Sequence, residues 1–202
     1  ENMYYIVEKL NDRGIAKEFE FEYNINLTNI TRRALDVWHN FKQVTLGGSI
    51  DAVVEYNNYI RHPSKWNKIE ENIKWLDQNT NPNINFFCTA TWQILNATQI
   101  LDLIKWQIEN KFVKFNRMAN SVFFSFHTLS APTYLNVKAL PKELKQHVQD
   151  EFSKFDEEYL KPRINTLPED FQFANTNYKA DWKGRQPWDN NNILLNKHET
   201  DA

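Results

Sequence analysis

The sequence predicts an α/β fold built on a parallel sheet of about four strands. Segments with strand periodicity alternate along the chain with segments of helical periodicity. No hairpin signal lies between the strand segments. This order requires right-handed crossovers through helices, which produce either an open doubly wound sheet or part of a (β/α) barrel.

Each expected element follows from its own residue pattern. Strands are expected where side chains alternate or form a short apolar run: 17–26, 44–50, 84–91 and 121–129. Helices are expected where apolar residues recur at helical spacing: 2–13, 31–41, 64–77, about 100–108, and about 140 to 162. Ser64 is expected to cap its helix, and Pro162 to end the last one. For residues 163–202 we expect an irregular C-terminal tail.

Every predicted strand has one apolar face and one face of polar or small residues. The second face is formed by Glu18, Glu20, Asn24 and Asn26; Thr45, Gly47, Ser49 and Asp51; Asn85, Phe87, Thr89 and Thr91; and Ser121, Phe123, Ser125 and His127. Strands covered on both faces are usually continuous apolar runs. We therefore expect helices on the apolar face alone. The polar face is either solvated or lines the interior of a partial barrel that holds a ligand.

Functional residues of parallel α/β folds lie at the carboxyl ends of the strands. This rule points to Asn24, Asn26, Ser49, Asp51, Thr89, Thr91 and His127. All of these except Asn24 are taken as candidate ligand contacts, together with the strand glycine Gly48. The Gly47–Gly48 pair indicates either close approach by a ligand or another backbone, or a bulge. Arg61 follows on the same rim. It either clamps a carboxylate or phosphate, or pairs with Glu55 or Asp51.

Composition excludes several classes of function. The formal charge of −2 and the pI near 6.3 give no basic surface for nucleic acid or anionic membrane. Without a membrane span or a signal peptide, the sequence predicts a cytoplasmic protein. There is no Gly-rich phosphate loop and no zinc-type Cys/His spacing. Cys88, the single cysteine, falls on an apolar strand face and is expected in the core.

One segment, GGSIDAVVEYNNYIRHPSKWNKIEENI, resembles the radical S-adenosylmethionine (radical SAM) family, especially members with a C-terminal twitch-type domain. In that family the fourth barrel strand ends in Ser-Ile-Asp-Gly or a close variant, and a Tyr-Ile-Arg segment follows. Residues 49–51 and 59–61 match these motifs, with Ala52 in place of Gly. Upstream, EYNINLTNI resembles the family's Tyr-Asn-Thr-Asn-Leu strand end, with Ile25 where Thr is usual. Downstream, FFCTATWQILNATQILDLIKW resembles the fifth strand with its turn into a helix, and APTYLNVKALPKELK resembles a segment after the sixth strand.

The resemblance implies a fold and a ligand. Residues 1–162 would be the C-terminal part of the TIM-like catalytic barrel, its strands three to six, and 163–202 a tail or the start of a twitch-like module. S-adenosylmethionine would bind across the strand ends. Ser49 and Arg61 would contact its methionine carboxylate, and Asn26 would lie near the reacting region. The strand carrying Thr89 and Thr91 would line the adenosine side.

The family's iron–sulfur motif, Cys-x3-Cys-x2-Cys, and its Gly-Gly-Glu-Pro strand are absent from the sequence. A four-iron four-sulfur (4Fe-4S) cluster with one open iron needs three thiolates. We therefore expect this chain to be an inactive part of a longer enzyme. That enzyme would carry the cluster, use an electron donor, and cleave S-adenosylmethionine to a 5′-deoxyadenosyl radical that abstracts hydrogen from a small-molecule or peptide substrate.

Two other functions remain open from the sequence. The chain is either a degenerate, cluster-less barrel that binds a small molecule or a protein partner, or an ordinary parallel α/β enzyme. The second alternative would use His127 and a strand-end carboxylate.

Overall fold

The computed structural model describes residues 2–115 and 125–163, in which strands and helices alternate. The strands are β1 Glu20–Ile25, β2 Gln43–Ser49, β3 Ile84–Trp92 and β4 Ser125–Thr128. The helices are α1 Asn2–Asp12, α2 Arg32–Trp38, α3 Val54–Ile60, α4 Trp66–Asn79, α5 Ile100–Asn110, α6 Lys142–Phe155 and α7 Lys161–Arg163. Residues 121–124 of the predicted fourth strand and the predicted tail from 164 onward lie outside the described residues.

The four strands are parallel and pair in chain order, β1-β2-β3-β4. The sheet curls into a half-barrel with helices between its strands. This confirms the predicted α/β fold and is compatible with a partial barrel. The register places Asn24 beside Gly47, Ser49 beside Thr89, and Thr91 beside His127. The carboxyl ends of all four strands therefore share one edge of the sheet.

The apolar face of the sheet forms the core with the helices. Val44, Leu46 and Phe86 on this face are fully buried, and they belong to one cluster with helix residues such as Trp38 and Ile73. The opposite face of β3 consists of half-buried residues at every second position. This alternation confirms the prediction that helices cover the apolar face.

The segment between β2 and α4 differs from the sequence prediction. Helix α3 was not predicted there, because it is only 7 residues long and carries two asparagines. The prediction that Ser64 caps α4 is wrong: the helix begins at Trp66, whose N–H donates to Asn58 Oδ1 at 2.6 Å. Asn58 therefore satisfies a donor at the start of α4.

The last helical segment covers nearly the predicted range, about 140 to 162, but Pro162 is not its last residue. α6 continues through a π-helical turn, Asp156–Leu160, into α7, so Pro162 does not end it. Pro162 lies inside this continuous helical segment and has no backbone N–H, so the helix lacks one hydrogen bond there. Tyr159 stacks on Phe155 and donates its hydroxyl to Glu109 at 3.1 Å, which links this segment to α5. Within the described residues, no helix has the length and apolar character needed to cross a membrane.

The amino ends of the strands are joined to the helices by side chains that bind backbone groups. The Asp77 carboxylate, near the end of α4, accepts hydrogen bonds from the backbone N–H groups of residues 113–115 at 2.8–3.0 Å. Asn83, just before β3, donates its amide to three carbonyls at the end of α2, at 2.8–3.3 Å. These contacts satisfy the backbone at the amino edge of the sheet.

Candidate functional site

The buried carboxylate of Asp51 connects three elements at the carboxyl edge of the sheet. Asp51 lies just after β2, and its side chain is 5% exposed. Arg61, at the end of α3, donates from Nη2 to Oδ1 at 3.0 Å. Its Nε lies 2.8 Å from Oδ2, an ion-pair contact without hydrogen-bond alignment. The backbone N–H of Thr91 in β3 donates to Oδ1 at 2.7 Å.

Of the two roles considered for Arg61, pairing with Asp51 is therefore present in the structure. The pair leaves part of the guanidinium free. Arg61 remains 25% exposed, and the described residues provide no further hydrogen bond to its side chain. A guanidinium carries five N–H donors, so donors remain for solvent or for a ligand carboxylate or phosphate.

Two buried asparagines hold the backbone around this ion pair. Asn57 accepts the Asp51 N–H at 3.2 Å. Asn96 donates to the carbonyl oxygens of Asp51, at 2.7 Å, and Thr91, at 3.0 Å. The sequence analysis did not select either residue. The available signal was an asparagine within a few residues after a strand end, where side-chain amides commonly replace missing backbone partners.

The polar face beside the ion pair carries two hydroxyls that the sequence analysis did select. Ser49 and Thr89 are register partners on β2 and β3, and their oxygens are 3.4 Å apart. Both are half-buried. Thr91 lies two residues further along β3, also half-buried, and is paired with the exposed His127 of β4. The structure thus brings Ser49, Thr89, Thr91 and His127 to one edge.

The two adjacent glycines of β2 make room for side chains of the β1 end. A Cβ added at Gly47 would lie 2.0 Å from Asn24 Oδ1, and one at Gly48 would lie 2.7 Å from Leu27 Cδ1. Both distances are below normal van der Waals contact. The space at Gly48, a predicted ligand contact, is therefore filled from within the protein by the buried Leu27.

Asn26 lies at the end of β1 in a tight local turn. Its Oδ1 accepts hydrogen bonds from the Thr28 N–H at 3.2 Å and from the Thr28 hydroxyl at 2.8 Å. This is an Asx-type turn, a common way to end a strand. Asn26 is exposed, and no hydrogen bond from its Nδ2 is found within the described residues. Its amide is therefore a donor group at the carboxyl edge.

Two non-glycine residues following strand ends have left-handed backbone conformations. Leu27, after β1, has φ of 60°, and Val54, after β2, has φ of 51°. For L-residues this conformation costs about 1–2 kcal/mol. Burying a leucine side chain contributes about 1.5–3 kcal/mol, which offsets the cost at the fully buried Leu27. Val54 is 43% exposed and has less burial to offset its strain.

The described residues contain no group of three or more His, Cys, Asp or Glu side chains that would hold a metal ion. Cys88 is buried on the helix-covered face of β3, where its thiol approaches the Ile50 carbonyl at 3.9 Å. Burial, with a smaller contribution from the Asp51 charge, raises the pKa of this thiol well above its usual value. It is therefore protonated at neutral pH, and it is not placed to act as a nucleophile or metal ligand.

Comparison with known proteins adds no family to these observations. No protein-family model matches the chain, and no curated protein matches it. The functional interpretation therefore rests on the residues and geometry described above.

Proposed function

We propose that this chain is the part of a radical SAM catalytic barrel that binds S-adenosylmethionine at the carboxyl ends of its strands. The observation that carries the proposal is the Asp51–Arg61 pair, which is anchored to two strand ends and retains donors on Arg61. The curled parallel half-barrel and the order of the resembling segments along it support the same assignment.

The charge of this pair fits the methionine group of the ligand. An isolated arginine attracts any anion, whereas an Asp–Arg pair is neutral overall and favours a zwitterion. The methionine group carries both an ammonium and a carboxylate. In the proposed complex, Arg61 and the Ser49 hydroxyl contact the carboxylate. Because Asp51 already orients the guanidinium, less side-chain entropy is lost on binding than for a free arginine.

Other residues of the same edge are assigned to the rest of the ligand. Thr89 and Thr91 line the adenosine side with their hydroxyls, and the Asn26 amide lies toward the reacting region. His127 is an exposed neighbour of Thr91 on the same edge. Gly48 takes part indirectly, since its open side accommodates Leu27.

The residues of this chain do not fit a 4Fe-4S cluster. Such a cluster needs three thiolates, while the sequence has one cysteine, and that cysteine is buried and protonated. Our proposal for this chain is therefore limited to binding and orienting S-adenosylmethionine. The proposed parent enzyme would take its cluster ligands from residues outside this sequence.

The absence of cluster-binding cysteines from this sequence also favours a second candidate function. In that case the chain is a cluster-less module that binds a small molecule without catalysis. Reading the coding sequence upstream in frame separates the two. A Cys-x3-Cys-x2-Cys motif there supports the parent enzyme, and a start codon directly before Glu1 supports the module.

Calorimetric titration of the 202-residue chain with S-adenosylmethionine tests the binding site. We expect saturable binding that Arg61→Ala weakens more than tenfold, because the carboxylate loses its charged donor. Arg33→Ala is the matched control: it removes an arginine that pairs with Glu8, between α1 and α2. We expect this control to leave the affinity unchanged. Equal affinities for the unsubstituted chain and Arg61→Ala, or no binding at all, would reject the proposed site.

A further inference from the structure

One peptide group after β1 connects the helix layer to the exposed Asn26. This group joins Leu27 to Thr28. Its N–H donates to Asn26 Oδ1 at 3.2 Å, and its carbonyl accepts a hydrogen bond from Asn72 Nδ2 at 2.6 Å. Because a peptide group is planar, the direction of its carbonyl fixes the direction of its N–H. Asn72 and Asn26 therefore hold opposite ends of the same rigid unit.

The helix side of this connection is buried. Asn72 lies on α4 and is 4% exposed, and its amide reaches Leu27 across 45 residues of sequence. Without this donor, the Leu27 carbonyl would be buried and unpaired, unless the peptide group rotated toward another partner. A rotation of that kind would carry the Thr28 N–H away from Asn26.

The Leu27 side chain gives the turn a second anchor. Leu27 is fully buried, and its Cδ1 occupies the space where a Cβ of Gly48 would lie. Its left-handed backbone, with φ of 60°, is unfavourable for leucine and persists only where the surroundings hold it. Gly48 provides that space on β2, and Asn72 holds the adjoining carbonyl from α4.

We infer that Asn72 and Gly48 are positioning residues for the β1 side of the ligand site. They act through Leu27 and the Leu27–Thr28 peptide group, and they set the direction in which Asn26 presents its amide. This inference rests on the proposed function for its ligand, S-adenosylmethionine. Its structural part, control of the Asn26–Thr28 turn, stands independently of that ligand.

The test compares Asn72→Leu with Gln107→Leu in the full chain. Gln107, on α5, is a matched control because it is also buried and donates its amide to one backbone carbonyl, that of Phe115, at 2.9 Å. Both substitutions remove one buried amide donor and retain a side chain of similar size. Two quantities are measured for each variant: the exchange rate and chemical shift of the Thr28 amide by NMR, and the affinity for S-adenosylmethionine by calorimetry.

We expect Asn72→Leu to increase Thr28 amide exchange at least tenfold and to weaken ligand binding at least fivefold. Gln107→Leu should change neither by more than twofold, although it loses comparable stability. Gly48→Ala, which displaces Leu27, should shift the Thr28 resonance in the same way as Asn72→Leu.

The outcomes separate the inference from the proposed function. If the Thr28 amide responds equally to Asn72→Leu and Gln107→Leu, the inference is wrong. If Thr28 responds as expected and affinity is unchanged, the positioning role is rejected. If the unsubstituted chain does not bind S-adenosylmethionine, the proposed function fails, and the Thr28 response alone decides whether Asn72 controls the turn.

Discussion

The two ends of the sheet each contain an aspartate that accepts backbone hydrogen bonds, but the two carboxylates are used differently. Asp77, at the amino end, is bound by three backbone N–H groups. Asp51, at the carboxyl end, is bound by one backbone N–H and by Arg61, which remains partly exposed. At the amino end the Asp77 carboxylate is thus occupied by backbone donors, and the ion pair there, Lys42–Glu20, is exposed on both sides. At the carboxyl end a buried carboxylate is paired with a partly exposed arginine.

Buried amides do not distinguish the two ends. Asn83 donates to three carbonyls at the amino end, and Asn96 bridges two carbonyls at the carboxyl end. The ends differ in their ion pairs: Lys42–Glu20 at the amino end is exposed, whereas Asp51 at the carboxyl end is buried and lies near the half-buried hydroxyls of Ser49 and Thr89. The proposed site is therefore distinguished by polar groups that retain capacity for a further partner.

Asp51→Ala should have the largest effect. It leaves a guanidinium and the Thr91 N–H without their partner, so we expect about 3 kcal/mol lower unfolding free energy, measured by urea denaturation. Binding of S-adenosylmethionine should be lost as well, because Arg61 is no longer oriented. Asp51→Asn keeps an acceptor for Thr91 and should cost less stability. Full ligand affinity in Asp51→Ala would contradict the account.

Asp77→Ala should destabilise the fold without affecting the site. Three backbone donors lose a charged acceptor, so we expect a loss of about 2 kcal/mol in unfolding free energy. Ligand affinity at a temperature where the variant is folded should stay within twofold of the unsubstituted chain. A large loss of affinity would show that the two ends are coupled, contrary to the comparison drawn above.

The pH dependence of stability tests the burial of Cys88, which lies between the two ends on the helix-covered face of the sheet. Its thiol pKa is raised in the folded chain, mainly by burial, so folding favours the protonated thiol. This stabilising contribution is complete below the unfolded pKa, about 8.5, and is lost as pH rises toward the folded pKa. Between pH 7 and 10, the unsubstituted chain should lose about 2 kcal/mol relative to Cys88→Ala. Parallel urea-denaturation profiles would contradict burial of the thiol.

Val54→Gly should have the smallest effect and the opposite sign. Glycine adopts positive φ without strain, so we expect a gain of about 0.5–1 kcal/mol in unfolding free energy. Lys111→Gly provides a second case of the same strain, since Lys111 has φ of 50° and caps the end of α5. It should give a similar gain. A clear loss of stability in Val54→Gly would show that its side chain matters more than its backbone strain.

Much of the fold was predictable because a strand that is buried on one face alternates apolar and polar residues in the sequence. The alternation in β1 and β3 follows from covering one side of the sheet and leaving the other half-exposed. The start of α4 was less predictable: Ser64 is a suitable cap residue, but the helix begins at Trp66, whose N–H binds Asn58, eight residues earlier. Helix α3 is too short for its periodicity to be distinctive.

The candidate site was predictable in position but not in its contacts. Ser49, Asp51 and Thr89 follow from the rule that functional groups collect at the carboxyl ends of parallel strands. The partner of Arg61 did not follow, because two acidic residues lay within reach in the sequence. The role of the glycine pair depended on Asn24 and Leu27, more than 20 residues earlier, which no local pattern could reveal.

The most direct test of the account is an NMR titration of the chain with S-adenosylmethionine. Our account predicts amide shift changes at Ser49, Asp51, Thr89 and Thr91, at the carboxyl end. It predicts none at residues 113–115, which bind Asp77 at the amino end. Shift changes confined to the amino end, or absent throughout at saturating ligand, would contradict the proposal that the carboxyl end is the binding site.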